Sequence, residues 1–457
     1  MSGPHASLSS GQLRLWVHHL LYLGAVLGLL TQSGRPRVPP SDRTPPLHHW
    51  GSSVANLISV QVTEITCSKN WTSCLGLAYL TRLGGFFSIR SPNFRAWELS
   101  RDLVYDTYEI NTFTNMWSTT LYFRSLAVLA TFLLWGICLL NGTVKALLLA
   151  VWQGKLNESV PLKTNYTGIA LIDYPIAVLV AFFFYGTNGH EEGYNLFLVD
   201  AYSTLQSAFV WLFVEAIRPG KKPKWIARPV VFGILWQCFG AAISLPLYYA
   251  CHLLWVTETE VYRVRDPNKA RAIPFSFLIG AIIPALIGMA PTWNGPDSRS
   301  VVAHQTILAI WQPDPIWVTW IQMGLQNMTW CLRGQTGPDV RKPIHNSFLW
   351  IRGSYLLAAV SSAVGHLYSV GRVLTSNDPS TNFVRMYVPF PFTGPAGVSD
   401  ILIRGPWLFL QYDLIIIGLS SMSWAFMLLA RIPTGQRRWK PMLVLFMLAG
   451  YVTIGPG

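Results

Sequence analysis

Charged residues are scarce in this chain. Asp, Glu, Lys and Arg make up 12% of its 457 residues, whereas soluble domains contain about 25%. Several apolar runs are long enough to cross a bilayer, so the composition predicts an all-α, polytopic transmembrane helix bundle. The formal net charge is +13, but the basic residues cluster in loops such as 218–224 and 431–440, where they contact anionic lipid headgroups. Membrane lipids are therefore expected partners, and nucleic acid is not.

Several motifs are also missing. The chain has no Asp-Asp-x-x-Asp run to hold magnesium and a diphosphate, and no Asp-x-Asp-Asp acid motif. It has no Walker motif and no Gly-rich dinucleotide fingerprint after a strand. Its six cysteines form no Cys-x-x-Cys pair; Cys67 and Cys74 are either a lumenal disulfide or two free thiols. These absences argue against metal-dependent ionisation, hydride transfer and ATP use, so we predict an activity without metal or cofactor.

The apolar runs predict the domain organisation. Residues 1–32 are predicted to be an N-terminal signal anchor or first span, 33–118 a lumenal or interfacial segment, and 119–457 a transmembrane catalytic bundle. The expected location is the endoplasmic reticulum. Within the bundle we predict eight spans, near 119–140, 168–186, 195–217, 228–254, 274–290, 346–370, 407–430 and 440–456.

The run at 301–321 is ambiguous because Pro313 and Pro315 interrupt it. If this run does not cross, the basic loops 218–227 and 431–440 both lie in the cytosol, as the positive-inside rule favours. We therefore expect a re-entrant or interfacial element there. In this topology only the first of the sequons Asn70, Asn141, Asn157, Asn165 and Asn327 is clearly lumenal.

Four carboxylates lie inside the apolar runs: Asp173, Asp200, Glu215 and Asp413. Each costs about 2.5–3.5 kcal/mol near the bilayer centre, so such residues normally face a bundle interior and mark function. The predicted topology places Asp200, Asp413 and His366 in one layer, with Asp173 and Glu215 in the opposite layer. If 301–321 crosses, His366 and Asp413 move to the layer of Asp173.

These five residues are the candidate catalytic groups, because burial raises the pKa of a carboxyl and keeps it protonated at neutral pH. Such an acid can protonate an olefin or an epoxide oxygen of a lipid-soluble substrate. Structural roles stay open for three of them. Glu215 is close to Arg218 and Lys221 and is read more simply as an interfacial ion-pair residue. Asp173 can cap a helix that begins near Pro175, and His366 can be a core residue.

Aromatic residues within the spans add to this chemistry. The chain has 20 Trp, 18 Tyr and 23 Phe, and many belong to an ordinary interface belt. Those inside spans can line a cavity that stabilises a carbocation, since a desolvated ring face contributes about 0.5–2 kcal/mol to a nearby positive charge. The aromatic composition is therefore compatible with cation chemistry away from water.

Three segments carry a resemblance to a known family: Leu171-Ile-Asp-Tyr-Pro175, the run from Phe275 to Pro284, and Gln411-Tyr-Asp413. From about residue 50 onward the chain resembles fungal integral-membrane terpene cyclases of meroterpenoid pathways, of the ascofuranone, ascochlorin and macrophorin type. The resemblance implies a lipid-soluble, farnesylated aromatic substrate, an acid that protonates its epoxide or terminal olefin, and trapping of the cation by an alkene or hydroxyl. Asp173, Asp200 and Asp413 are then the candidate acids.

Two other classes stay open. A membrane-bound O-acyltransferase of the wax-synthase type is faintly indicated by Ser91–Trp97, but no Trp-His pair occurs in the chain. A small-molecule transporter often shows internal repeats and broken helices at matching positions, and no convincing repeat is visible between the two halves.

Overall fold

A computed structural model describes residues 118–219, 222–255, 264, 266–293, 295–333, 343–378, 381–391, 400–430 and 439–455. The described residues form helices joined by short loops, and their strand pairing is limited to one isolated bridge between Lys155 and Pro161. The N-terminal predictions, including the first span, the segment 33–117 and the Cys67–Cys74 pair, lie outside these residues.

The helices are numbered in chain order. They are α1 (Ser118–Leu140, with a π-helical turn at Phe132–Gly136), α2 (Thr143–Gln153), α3 (Ala170–Thr187), α4 (Glu192–Ile217), α5 (Pro229–Phe239), α6 (Ala241–Trp255), α7 (Pro267–Phe277, continuing through a π-helical turn at Leu278–Ile282 into Ile283–Trp293), α8 (Val301–Trp311), α9 (Asp314–Arg333), α10 (Pro343–Thr375), α11 (Phe383–Tyr387), α12 (Ile401–Ala430) and α13 (Trp439–Thr453). Six of these described helices, α1, α3, α4, α7, α10 and α12, are long and apolar enough to cross a membrane. The predicted all-α transmembrane bundle is confirmed.

Helix α4 defines the two ends of the bundle. It packs antiparallel to α10: Ser207 donates a hydrogen bond to the carbonyl of Ala358 (3.0 Å), and near the N-terminus of α4 Glu192 pairs with Arg372. We call this N-terminal end of α4 the Glu192 end, and its C-terminal end the Glu215 end. In five of these six helices at most half of the most apolar stretch is buried, as expected for helices whose outer faces meet lipid.

The prediction of one span at 228–254 is wrong. The segment forms two helices, α5 and α6, that break at Gly240. The rings of Phe232 and Tyr248 lie 4.9 Å apart, whereas in one continuous helix they would be separated by about 24 Å. His252, near the end of α6, contacts Glu215, so α5 and α6 form a hairpin that enters from the Glu215 end and returns to it. Its tip lies inside the bundle.

Helices α8 and α9 together cover the ambiguous run and extend beyond it. His304 in α8 contacts Thr187, at the end of α3 (2.9 Å), and Gln322 in α9 contacts Ser276 in the first half of α7 (3.4 Å). The pair therefore runs from the Glu192 end toward the Glu215 end, and the expected re-entrant element at 301–321 is not what the structure has. The turn between the two helices is at Gln312–Pro313.

The hairpin tip depends on glycine at position 240. Gly240 has φ of +99°, a conformation that side-chain-bearing residues adopt at a cost of about 1–3 kcal/mol. A Cβ atom there would lie 2.6 Å from Leu134 and 3.1 Å from the Asp413 carboxylate. Glycine therefore permits both the turn and the close approach of two other helices.

We expect Gly240→Ala to lower the free energy of unfolding by about 2–4 kcal/mol, because backbone strain adds to overpacking. The measurement is thermal unfolding of the purified protein in detergent. Gly288→Ala is the matched control, since a Cβ at position 288 would meet nothing within 4 Å. Equal stability of the two variants would contradict this account of the tip.

Candidate active site

Asp413 lies against the hairpin tip. Its carboxylate accepts a hydrogen bond from the backbone N–H of Ala242 (2.7 Å), in the first turn of α6. The first N–H groups of a helix have no partners within the helix, and the helix dipole places partial positive charge there. The Asp413 side chain is buried, so α12 provides a buried cap for a helix that begins inside the bundle.

A second buried carboxylate, Asp314, lies on the other flank of the tip. It begins α9, and it accepts a hydrogen bond from the side-chain amide of Gln237 in α5 (2.9 Å). It also interacts electrostatically with Tyr202 of α4. Gln237 and Gly240 are one helical turn apart, so the tip touches both carboxylates, each through a different donor.

A continuous row of aromatic rings connects the surroundings of the two carboxylates. Phe409, one turn before Asp413, contacts Trp135 (5.7 Å between ring centroids) and Phe182 (5.4 Å). Phe182 contacts Phe183, which in turn contacts Tyr202 and Trp311. These edge-to-face and tilted contacts bring α1, α3, α4, α8 and α12 together. We call the set the interior ring: Trp135, Phe182, Phe183, Tyr202, Gln237, Trp311, Asp314, Phe409 and Asp413.

Polar atoms without partners occur beside this ring. Within the described part of the chain, the Tyr202 hydroxyl and both amide atoms of Gln312 are buried and make no hydrogen bond. Gln312 directly follows Trp311 of the ring. Buried polar atoms in native proteins are nearly always paired with protein, water or ligand, so this region is suited to a guest molecule that carries a polar atom.

Asp200 and His366, which the sequence placed in one layer, are in contact. Asp200 Oδ2 lies 3.0 Å from His366 Nδ1 and accepts a hydrogen bond from the Tyr387 hydroxyl (2.6 Å). His366 Nε2 lies 3.1 Å from the carbonyl oxygen of Val452 in α13. Because a carbonyl only accepts, Nε2 carries a hydrogen, and the Asp200–His366 couple shares one further proton. Asp413 does not join this cluster but lies at the hairpin tip.

Asp173 lies at the start of α3, where its carboxylate is occupied by local donors. It accepts hydrogen bonds from the backbone N–H and the hydroxyl of Thr167 (both 2.8 Å) and from the N–H of Gly168 (3.0 Å). This geometry fixes the loop before α3. It is a structural role, but not the helix cap left open by the sequence, because Ile169 is the N-cap and no side chain caps it. A catalytic role for Asp173 stays a prediction.

Glu215 forms a buried network at its end of the bundle. It pairs with Arg218 (2.7 Å) and with His252 Nε2 (2.9 Å), and Trp424 Nε1 donates to His252 Nδ1 (3.1 Å). Since an indole N–H only donates, Nδ1 has a lone pair and Nε2 carries the hydrogen. His252 is thus neutral, and Glu215 is the ion-pair residue of the simpler interpretation. Its catalytic role also stays a prediction.

Sequence reasoning missed Asp314, Gln237 and Tyr387. Asp314 stands between two prolines, in a Pro-Asp-Pro stretch typical of a loop. The sequence does show that Asp314 follows an apolar run that ends in Trp-Gln. Whether Asp314 lies inside the bundle depends on how that run folds, which the sequence does not show. Gln237 and Tyr387 are neutral, so the search for charged intramembrane residues did not find them.

Comparison with known proteins identifies the family. A family model of the CtvD domain matches residues 119–457. Terpene cyclase DEP1 of Fusarium langsethiae is 27% identical over 361 residues, which cover 74% of this chain and 94% of that protein. Terpene cyclase ascI of Acremonium egyptiacum is 26% identical, covering 67% and 78%, and terpene cyclase ctvD of Aspergillus terreus is 25% identical, covering 66% and 84%. No solved structure matches the chain. These relatives confirm the resemblance to fungal membrane terpene cyclases, and the chain belongs to the CtvD-domain family.

Proposed function

We propose that this protein is an acid-initiated, integral-membrane terpene cyclase whose active site is the interior ring. The supporting observation is the pair of buried carboxylates in different settings, Asp314 and Asp413, on the two flanks of one helix-hairpin tip. The proposed substrate is a lipid-soluble prenylated aromatic, and the reaction is an isomerisation in fungal secondary metabolism. The names of the relatives support the cyclase class, and the site chemistry supports the mechanism.

In this proposal Asp314 is the acid. Among the described residues its hydrogen-bonding partner is a neutral amide, Gln237, and the neutral Tyr202 side chain lies within electrostatic range of it. Burial without a cation or a backbone donor favours the neutral carboxyl, which is the form that can give a proton. Asp314 protonates the epoxide oxygen or the terminal olefin. The C–O bond then breaks, or the π bond becomes a C–H bond, and a carbocation is left on the prenyl chain.

In the same proposal Asp413 is the anion. Its side chain is buried like that of Asp314, but the backbone N–H at the start of α6 and the dipole of that helix offset part of the cost of ionising it. Two carboxyls in contrasting environments can thus serve as acid and base in one site. The carboxylate of Asp413 stabilises the developing cation, and its second oxygen accepts the proton that is lost when an alkene or hydroxyl closes the ring. Protons and electrons balance, and the product has the mass of the substrate.

The aromatic rings supply the remaining stabilisation. The row through Phe409, Phe182 and Phe183 places ring faces and edges along the path between the two carboxylates. A cation over a desolvated ring face gains about 0.5–2 kcal/mol per ring. Because these side chains are apolar, they also exclude the water that would intercept the cation. The protein lies in a membrane in this proposal, and the endoplasmic reticulum is the proposed location.

The test is direct turnover. Membranes that contain the protein are incubated with a farnesylated phenol bearing a terminal epoxide, and the extract is analysed by liquid chromatography and mass spectrometry. The expected result is a new product of unchanged mass that is missing from membranes without the protein. A product that appears only with acyl-CoA would contradict the proposal in favour of an acyltransferase, and binding with no turnover would contradict it in favour of a transporter.

A further inference from the structure

Four buried polar atoms without partners are concentrated around the short helix α11. In the part of the chain that the structure describes, Asp200 Oδ1, the Tyr194 hydroxyl, Trp407 Nε1 and Gln411 Oε1 make no hydrogen bond. The four side chains are almost completely buried. An unpaired buried polar atom costs about 1–3 kcal/mol, and native proteins leave few of them, so four in one neighbourhood need an explanation.

The four residues are neighbours, because α11 contacts each part of the group. Tyr194 and Trp407 are stacked with ring centroids 5.0 Å apart, and the Arg385 guanidinium of α11 lies over Trp407 at 5.5 Å. Gln411 donates to the carbonyls of Arg385 (3.0 Å) and Met386 (2.7 Å). Tyr387, the last residue of α11, donates to Asp200. Helices α4 and α12 thus present polar atoms beneath α11.

The unused atoms have complementary hydrogen-bonding roles. Asp200 Oδ1 and Gln411 Oε1 only accept when Asp200 is ionised, Trp407 Nε1 only donates, and the Tyr194 hydroxyl does either. The other Asp200 oxygen already serves His366 and Tyr387. A ligand with a hydroxyl and a carbonyl on a flat ring satisfies this set. The basic side chains of this region, His366 and Arg385, already pair with the carboxylates of Asp200 and Glu191, so the set favours a neutral head over an anionic headgroup.

We infer that the region beneath α11 is a recognition site for the polar aromatic head of the substrate, with Asp200 Oδ1 accepting the hydrogen bond of a phenolic hydroxyl. The inference rests on the proposed function and names a second, separate site for the same substrate. Leu410 and Tyr202 pack against both the residues beneath α11 and the aromatic residues of the interior ring. The head site and the interior ring are therefore adjacent, and a prenyl tail attached to a bound head can extend toward the acid.

The experiment measures binding without turnover. A farnesylated phenol and its methyl ether, both without an epoxide, are equilibrated with the full-length protein in lipid nanodiscs, and bound ligand is quantified. The ether has the same tail but no donor hydrogen. We expect the wild-type protein to bind the phenol at least about 10-fold more tightly, as a buried acceptor rejects a ligand that lacks its partner. Asp200→Asn, which replaces one oxygen by a donor group, is expected to abolish this preference.

Two further variants keep the test decisive. Glu158→Gln removes an exposed carboxylate and is expected to bind as the wild-type protein does. Trp407→Phe preserves a stacked ring but removes the Nε1–H donor. We expect it to weaken binding of a phenol that has a ring carbonyl more than binding of a phenol that has none. This variant tests the head site even if Asp200→Asn fails to fold. Equal binding of phenol and ether by the wild-type protein, or an unchanged preference in Asp200→Asn, would overturn the head site. Selective binding without cyclisation would leave the head site standing and refute only the cyclase mechanism.

Discussion

Replacing Asp314 by Asn is expected to lower kcat by about 10²–10⁴-fold, the range that a general acid contributes. The substitution preserves shape and can keep a hydrogen bond with Gln237, but it removes the proton that opens the epoxide. The KM should change little, since the prenyl tail is bound by the unchanged aromatic rings. Asp314→Glu should recover part of the activity, because it restores the acid in a displaced position.

The measurement is steady-state turnover of the epoxyfarnesyl phenol in membranes, normalised to the amount of folded protein. Glu158→Gln is the control, since Glu158 is exposed and pairs only with Lys155 in the described structure. A second comparison replaces Asp173 by Asn. If Asp173→Asn abolishes turnover with normal folding and Asp314→Asn does not, the acid is at the start of α3 and our assignment is wrong.

The general architecture was predictable because membrane-spanning helices leave a strong signal in length and apolarity. Six of the predicted spans, those near 119–140, 168–186, 195–217, 274–290, 346–370 and 407–430, coincide with helices long enough to cross. The failure at 228–254 has a local cause. Gly240 divides an apolar run of ordinary span length into two halves, and hydropathy cannot distinguish a straight helix from a hairpin whose tip is buried in protein.

The two topological errors cancel. The sequence argument counted 228–254 as a crossing and 301–321 as none, whereas α5 and α6 return to the Glu215 end and α8 with α9 traverse the bundle. The number of crossings between Arg218 and the end of α12 is therefore the same in both descriptions. The positive-inside argument led to that number of crossings, and for that reason it placed Asp200 and His366 in one layer, where the structure has them in contact. It could not determine which segment crosses.

The candidate site was less predictable than the fold. Burial of a carboxylate can be inferred from an apolar run, which found Asp413 and Asp200, but the partner that defines its chemistry comes from a distant helix. Asp173 and Asp413 both look like intramembrane acids in the sequence. In the structure, Asp173 accepts hydrogen bonds from three donors of the loop just before α3, whereas Asp413 caps a helix about 170 residues away in the chain. Only tertiary structure separates these cases.

The second large effect is expected for Asp413→Asn. The Asn side-chain oxygen can still accept the hydrogen bond of Ala242, so the hairpin tip should remain capped, but the fixed negative charge near the cation is lost. We expect kcat to fall by about 10²-fold or more, as for loss of a general base, with a melting temperature close to that of the wild-type protein. Asp413→Ala removes both the charge and the cap. Its free energy of unfolding should be about 1–2 kcal/mol lower than that of Asp413→Asn.

The comparison of these two variants separates catalysis from structure. If Asp413 acts only as a helix cap, Asp413→Asn should turn over substrate normally and only Asp413→Ala should be impaired, in proportion to its lost stability. If it is the anion of the active site, both variants lose turnover to a similar degree although only one is destabilised. The product distribution gives an independent measure. Without the carboxylate at the hairpin tip, the cation loses the base assigned to the final deprotonation, so hydrated or uncyclised alcohols should increase relative to the cyclic isomer.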